Sequence, residues 1–205
     1  AGTYRLGSSV LCRANSIRQA SRSPAGSGSI SRKQVRSGPG GRAGRWVRPE
    51  DAHLTIKFLG DVPSEAIPAV AAALDSVAAQ HAPFALELRG VGCFPNGRRP
   101  RVVWAGVWEP QRRLAALQQA VEAALAALGH PAEERPFAPH LTLARVRDGA
   151  LSAEVEALAR SVAGLQAETA QSLAQMQATE VTLLKSDLRP EGPVYTVLHH
   201  ARLRG

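Results

Sequence analysis

The stretch HLTIKFLG, residues 53–60, is followed 87 residues later by HLTLAR, residues 140–145, so that one pattern occurs twice. Each segment is a β-prone run that opens on His-x-Thr. Because successive side chains of a strand point to opposite faces, His53 and Thr55 share one face, and His140 and Thr142 do the same. Two such strands side by side bring two imidazoles and two hydroxyls into one groove.

That set of side chains is sufficient to open a phosphodiester without a metal. One imidazole can remove a proton from water while the other protonates the leaving alkoxide, since histidine titrates near about 6.5. The threonine hydroxyls can hydrogen-bond the non-bridging phosphate oxygens. A single His-x-Thr is usually the polar face of a half-buried sheet. The second copy, and a large side chain five positions after each histidine (Phe58 and Arg145), favour a functional site.

The resemblance to a known family extends beyond the two motifs. Further family-like stretches are GRWVRPE at 44–50, FPN at 94–96, RPRVVWAGV at 99–107, FAP at 137–139, VTLLKS at 181–186 and YTVL at 195–198. Over residues 44–204 the chain resembles the two-histidine (2H) phosphoesterases. Within that superfamily it resembles the RNA 2′,3′-cyclic phosphodiesterases, also described as 2′-5′ RNA ligases.

The resemblance implies an α+β fold with two pseudo-symmetric lobes, each an antiparallel sheet backed by helices, and an active groove between them. It also implies that Arg145 holds the phosphate and that Phe58 lines the groove near the base or ribose, although Phe58 could instead fill the core. His53 is implied as the acid toward the departing 3′ oxygen and His140 as the base toward water. The residues themselves leave that direction open.

Apolar periodicity predicts the other elements. The predicted order is a helix over 64–81, a strand over 84–88, a loop over 90–97, a strand over 101–108, helices over 110–129 and 152–162, helical structure over 166–177, and strands over 179–185 and 194–198. The motif strands thus occupy corresponding positions of two halves. Trp104 lies in an apolar strand and is expected to be structural.

Residues 1–44 differ in composition from the rest of the chain. They hold eight of the 25 Lys and Arg residues and none of the 17 Asp and Glu residues, so the formal net charge of +8 lies entirely in this segment. Serine and glycine are dense there, which is typical of a segment that cannot bury enough apolar surface to become ordered. We expect residues 1–44 to be a largely disordered basic leader and residues 45–205 to form the phosphoesterase domain.

The leader shows neither the opening strand nor the helix that the resemblance implies. The nearest candidate, 4–11, is interrupted by Gly7, Ser8 and Ser9. Three explanations stay open: an acid-poor targeting peptide, a basic arm for RNA phosphates, or a misassigned start that replaces the usual strand. The missing initiator Met and the return of family-like sequence at Gly44 favour the third, in which the first lobe lacks its N-terminal strand.

The apolar runs, the cysteines and the remaining histidines limit which partners and cofactors we expect. No apolar run approaches the roughly 18 residues of a membrane span, so we expect no membrane association. Cys12 and Cys93 lack metal-type spacing, which indicates a reducing compartment, and we expect a cytoplasmic monomer. The other histidines have no partner motif, so we predict no metal and no cofactor. These histidines are His81, His130, His199 and His200.

The expected activity is metal-independent hydrolysis of RNA 2′,3′-cyclic phosphate ends to 2′-phosphomonoesters. The expected partners are RNA 3′ ends or nucleotides that carry a cyclic phosphate. Two alternatives stay open: a 2H phosphodiesterase that acts on a small nucleotide cyclic phosphate or a 2′-5′ linkage, and an inactive RNA-binding module whose first lobe is incomplete.

Overall fold

The computed structural model describes residues 6–19, 38, 40–48, 51–166, 172–189 and 192–205. These residues form one eight-stranded antiparallel sheet and three α-helices. The strands are β1 (Leu6–Gln19), β2 (Gly44–Trp46), β3 (Leu54–Gly60), β4 (Phe84–Phe94), β5 (Val102–Trp108), β6 (His140–Val146), β7 (Ser172–Arg189) and β8 (Gly192–Arg202). The helices are α1 (Ile67–Ala79), α2 (Arg113–Ala126) and α3 (Ser152–Gln166). The predicted α+β class is confirmed.

The strand order divides the sheet into two halves, or lobes, that share the long strands β1 and β7. The path runs β1-β3-β6-β5-β4-β7, and β7 pairs back to β1, with β8 beside β7 and β2 beside β6. One half of β7 pairs with β4 (Phe84↔Ala178 to Arg89↔Ser172) and the other half pairs with β8. Because β1 and β7 run through both halves, the lobes are parts of one hydrogen-bonded sheet.

Each lobe has its own apolar core. The larger core contains the buried faces of α1 and α2, such as Leu74 and Leu117, and the motif leucines Leu54 and Leu141. A smaller core lies between α3 and the strands β4 to β6. Its buried members are Ala43, Val91, Val103, Ala144, Leu158 and Val162. The two-lobe expectation agrees with this arrangement.

The expectation that the leader supplies no strand is wrong for Leu6–Gln19. This segment is β1, which pairs with β3 on one edge and with β7 on the other, from Leu6↔Asp187 to Gln19↔Ala174. Backbone pairing on both edges satisfies donors and acceptors whatever the side chain, so the glycine and serines do not prevent it. The other leader residues that the prediction covered, 1–5, 20–37 and 39, lie outside the described residues.

Two local predictions are also corrected. The predicted helical structure over 166–177 is wrong for residues 172–177, which begin β7, and residues 167–171 lie outside the described residues. In β7, Ala174, Met176 and Ala178 are buried while Gln175 and Gln177 are exposed. Alanine, methionine and glutamine favour helices locally, and pairing with β1 and β4 overrides that preference. The predicted loop at 90–97 is strand as far as Phe94, because Gly90 adopts φ 69° in a bulge and the pairing resumes at Val91.

Candidate active site

The two motif strands are neighbours in the sheet. Leu54 of β3 is the partner of Leu141 of β6 in an antiparallel pair, and both leucines are buried in the core. Continuing that register by one position on each side sets His53 across from Thr142 and His140 across from Thr55. These four side chains are half-buried and lie on the face opposite the leucines. The strand order therefore brings the two His-x-Thr motifs together.

A β-bulge interrupts each motif strand at the same place. In β3, Val10 pairs with Lys57 and Leu11 with Thr55, which leaves Ile56 as the extra residue. In β6, Val103 pairs with Ala144 and Trp104 with Thr142, which leaves Leu143 as the extra residue. Both extra residues stand three positions after the motif histidine. Because a bulge shifts the alternation by one residue, it changes which later side chains face the groove.

The bulges return Phe58 and Arg145 to the face of the histidines. On an ideal strand a residue five positions after the histidine points to the other face. After the bulge, Lys57 is buried at 2% exposure while Phe58 is 62% exposed, and Ala144 is buried while Arg145 is exposed. Phe58 is therefore not a core residue, and its role near the base or ribose stays a prediction.

Tyr195 links Arg145 to the first motif. Burial raises the pKa of the Tyr195 phenol above its ordinary value, the positive charge of Arg145 lowers it, and the carboxylate of Asp51 raises it. Tyr195 lies on β8, and its ring meets the His53 imidazole edge-on, with centroids 4.9 Å apart. Arg145 of the second motif is thus within electrostatic range of a side chain that contacts the first histidine.

Both histidines make the same hydrogen bond. Nδ1 of His53 lies 2.7 Å from the backbone oxygen of Asp51, and Nδ1 of His140 lies 2.7 Å from the backbone oxygen of Ala138. A carbonyl oxygen can only accept, so Nδ1 carries the proton in each ring, and Nε2 is the second nitrogen of the imidazole. In both motifs the carbonyl belongs to the residue two positions before the histidine, so the two motifs have the same hydrogen-bond geometry.

Each histidine also has an aromatic neighbour that was assigned no function from the sequence. Phe94, at the end of β4, meets the His140 ring edge-on at 5.0 Å, as Tyr195 meets His53. Both residues lie in stretches that resemble the family, but an aromatic side chain in a strand gives no local indication of which histidine it contacts. Trp104, predicted to be structural, pairs with Thr142 and so lies on the histidine face, where it contacts Phe94.

Three of the other histidines have neighbours that differ from those of His53 and His140. His199 and His200 of β8 bond separate carboxylates, those of Asp75 and Glu180. His130 lines a surface depression that also includes Phe58. Among the described residues no group of three or more His, Cys, Asp or Glu side chains could hold a metal ion. None of the helices in the described ranges is long and apolar enough to cross a membrane.

The sequence profile of the 2′-5′ RNA ligase superfamily matches residues 32–190, most of the chain. The chain belongs to this superfamily. One relative in it, the RNA 2′,3′-cyclic phosphodiesterase of Methanothermobacter thermautotrophicus, is 35% identical over 78% of this chain and 82% of its own length. Another, the RNA 2′,3′-cyclic phosphodiesterase of Geobacillus stearothermophilus, is 43% identical over 55% of this chain. The matched region spans 36% of that relative's length.

The solved structures agree with the superfamily assignment. The crystal structure of Escherichia coli LigT in complex with 3′-AMP superposes with a TM-score of 0.63 at 26% identity, over 98% of this chain and 99% of that one. The described residues thus have the fold of the 2′-5′ RNA ligase superfamily.

Proposed function

We propose that this member of the superfamily hydrolyses RNA 2′,3′-cyclic phosphate ends to 2′-phosphomonoesters, without a metal. The observation that carries the proposal is the matched pair of histidines, each held through Nδ1 by the carbonyl two residues before it. The names of the relatives support the substrate class. The proposed site consists of His53 and His140 as catalytic residues and Thr55, Thr142, Arg145 and Phe58 as substrate-binding residues.

Proton transfer runs through the two Nε2 atoms. We assign the neutral His140 as the base that takes a proton from water as the water oxygen bonds to phosphorus. His53, protonated on both nitrogens, gives its Nε2 proton to O3′ as the P–O3′ bond breaks. The product keeps the phosphate on O2′. Because the two hydrogen-bonded histidines are alike, they can exchange roles in the reverse step, in which O3′ attacks the 2′-phosphate, re-forms the cyclic phosphate and releases water.

The phosphate is held by groups on the same face. Thr55 and Thr142 are set across from His140 and His53, so their hydroxyls can donate to the non-bridging oxygens as charge builds in the transition state. The Arg145 guanidinium, which the bulge turns to this face, supplies the positive charge and a fork of donors for two phosphate oxygens. Phe58 offers an exposed ring for the base or ribose.

Incubation of the full chain with an RNA that ends in a 2′,3′-cyclic phosphate, in excess EDTA, tests the proposal. We expect conversion to the 2′-phosphate at an undiminished rate. Loss of activity in EDTA with recovery on addition of a divalent ion contradicts the metal-free mechanism. Turnover of a small nucleoside cyclic phosphate but not of the RNA end favours the small-nucleotide alternative. Binding of the RNA with no product favours the inactive RNA-binding module.

A further inference from the structure

A cleft of about 340 Å³ is lined by His140 together with residues that have no role in the proposed catalysis. We call it the aromatic cleft. Besides His140, its lining includes Arg89, Phe94, Trp104, Gly106 and Trp108. Its rings belong to β4 and β5, and the cleft is therefore built into the sheet rather than into a loop.

The register of the sheet places this lining on the histidine face. Gly106 of β5 pairs with His140, and Trp104 pairs with Thr142. Trp108 is two residues beyond Gly106 and so faces the same way. On the other side of β5, Arg89 pairs with Gly106. Val103 and Ala105, on either side of Trp104 in β5, are buried on the core face. The cleft is thus a continuation of the proposed active site across β5.

Gly106 is part of the lining of the cleft. Since Gly106 and His140 are directly opposite, a side chain at 106 would stand beside the imidazole. A Cβ at this position would lie 2.6 Å from the backbone oxygen of Arg89, so only glycine fits without movement of the backbone. Gly106 therefore permits the close approach of the Arg89 backbone on β4 and adds no side chain beside His140.

The chemistry of the walls suits a nucleobase. Trp108 is 42% exposed, and the Arg89 guanidinium lies 3.8 Å from the centroid of its ring. Phe94 and Trp104 add two further rings in mutual contact, with centroids 5.3 Å apart. None of the described residues that line the cleft is acidic, although the Arg89 guanidinium forms an ion pair with Glu87 of the same strand at 2.7 Å. Flat aromatic surfaces bind bases by stacking, with little dependence on base identity.

We propose that the aromatic cleft binds the base of the penultimate nucleotide, the one joined to the 5′ side of the nucleotide that carries the cyclic phosphate. This inference rests on the proposed function. Two apolar surfaces lie on the strands on either side of β6: the exposed Phe58 ring on β3 and the aromatic cleft on β5. A mononucleotide has one base and occupies one of them, whereas an RNA end occupies both. The cleft therefore makes the enzyme selective for RNA ends over mononucleoside cyclic phosphates.

The test compares a dinucleotide that ends in a 2′,3′-cyclic phosphate with the corresponding mononucleoside cyclic phosphate. The wild-type chain should have the higher kcat/KM for the dinucleotide. Trp108→Ala should lower the ratio of the two kcat/KM values by roughly tenfold, the usual effect of removing one stacking ring, and Trp108→Phe should retain most of it. Leu151→Ala, at a position 68% exposed, is the matched control and should leave the ratio as in wild type.

An unchanged ratio of the two kcat/KM values in Trp108→Ala overturns the proposal. If the ratio is unchanged because both values fall equally, the cleft binds the terminal base instead. A second measurement needs no variant. Two of the three tryptophans, Trp104 and Trp108, line the cleft, so the dinucleotide 2′-phosphate product at saturation should quench tryptophan fluorescence more than the mononucleotide product does. Equal quenching contradicts the proposal. If wild type hydrolyses neither substrate, the proposed function fails, and the fluorescence comparison still decides whether the cleft binds the base.

Discussion

Leu54 of β3 is paired with Leu141 of β6, and each leucine directly follows a motif histidine. The pair is buried in the larger core, so the contact that joins the two motif strands is itself apolar packing. Since the histidine and threonine on either side of each leucine must point away from that core, packing of Leu54 on Leu141 positions both motifs relative to each other.

The first prediction concerns the two histidines. His53→Ala and His140→Ala should each lower kcat on an RNA 2′,3′-cyclic phosphate by on the order of a hundredfold or more, because one ring must give a proton while the other takes one. His81→Ala is the control and should have little effect. Normal turnover by His140→Ala would show that the two histidines do not act as a pair.

The second prediction tests the position of Arg145. The charge of Arg145 lowers the pKa of Tyr195 against the larger effect of burial, so Arg145→Gln should raise the pKa of that phenol further. Asp51→Asn should move it in the opposite direction. The chain has two tyrosines, so tyrosinate absorbance against pH resolves the titration, and Tyr195→Phe assigns it. An unaltered Tyr195 titration in Arg145→Gln would place Arg145 away from the first motif.

The third prediction concerns the buried lysine that follows the first bulge. Lys57 Nζ donates to Oε2 of Glu122 on α2 at 2.5 Å and to the Pro131 carbonyl at 2.7 Å. Lys57→Met leaves the Glu122 carboxylate without its cation in a largely buried site, and should lower the free energy of unfolding by about 3–5 kcal/mol in urea denaturation.

The exposed ion pair between Arg160 and Glu156, at 3.8 Å, provides the control for that measurement. Arg160→Met should change the free energy of unfolding by less than about 0.5 kcal/mol, because exposed pairs on a helix contribute little. If the two substitutions have equal effects, Lys57 does not join β3 to α2 in the way described.

The fourth prediction concerns β1. Because β1 is paired on both edges, the amides of Leu6–Gln19 that bond β3 or β7 should exchange their hydrogens slowly, at rates similar to those of β7. Deletion of residues 1–19 should destabilise the fold, since it exposes the edges of β3 and β7 together. Exchange across Leu6–Gln19 as fast as in the exposed turn at 96–99 would show that this strand is not held in the sheet.

Several features follow from the amino-acid sequence alone. The alternation in the motif segments predicts the strands and assigns His53 with Thr55, and His140 with Thr142, to one face, because the side-chain period of a strand is a local property. The amphipathic spacing likewise predicts α1, α2 and the first part of α3. The sequence also predicts acid–base chemistry by two histidines, since that chemistry depends on residue type and not on packing.

Other features depend on which strands become neighbours. Residues 172–177 favour a helix by composition, yet two partner strands make them extended, and the serines and glycine of β1 are held in the same way. The bulges at Ile56 and Leu143 decide whether Phe58 and Arg145 point to the same face of the sheet as the motif histidines. A bulge is a mismatch between two paired strands, so it cannot be read from either strand alone. The contacts of Tyr195 with His53 and of Phe94 with His140 join residues distant in the chain, and only the closed strand order of the folded sheet brings them together.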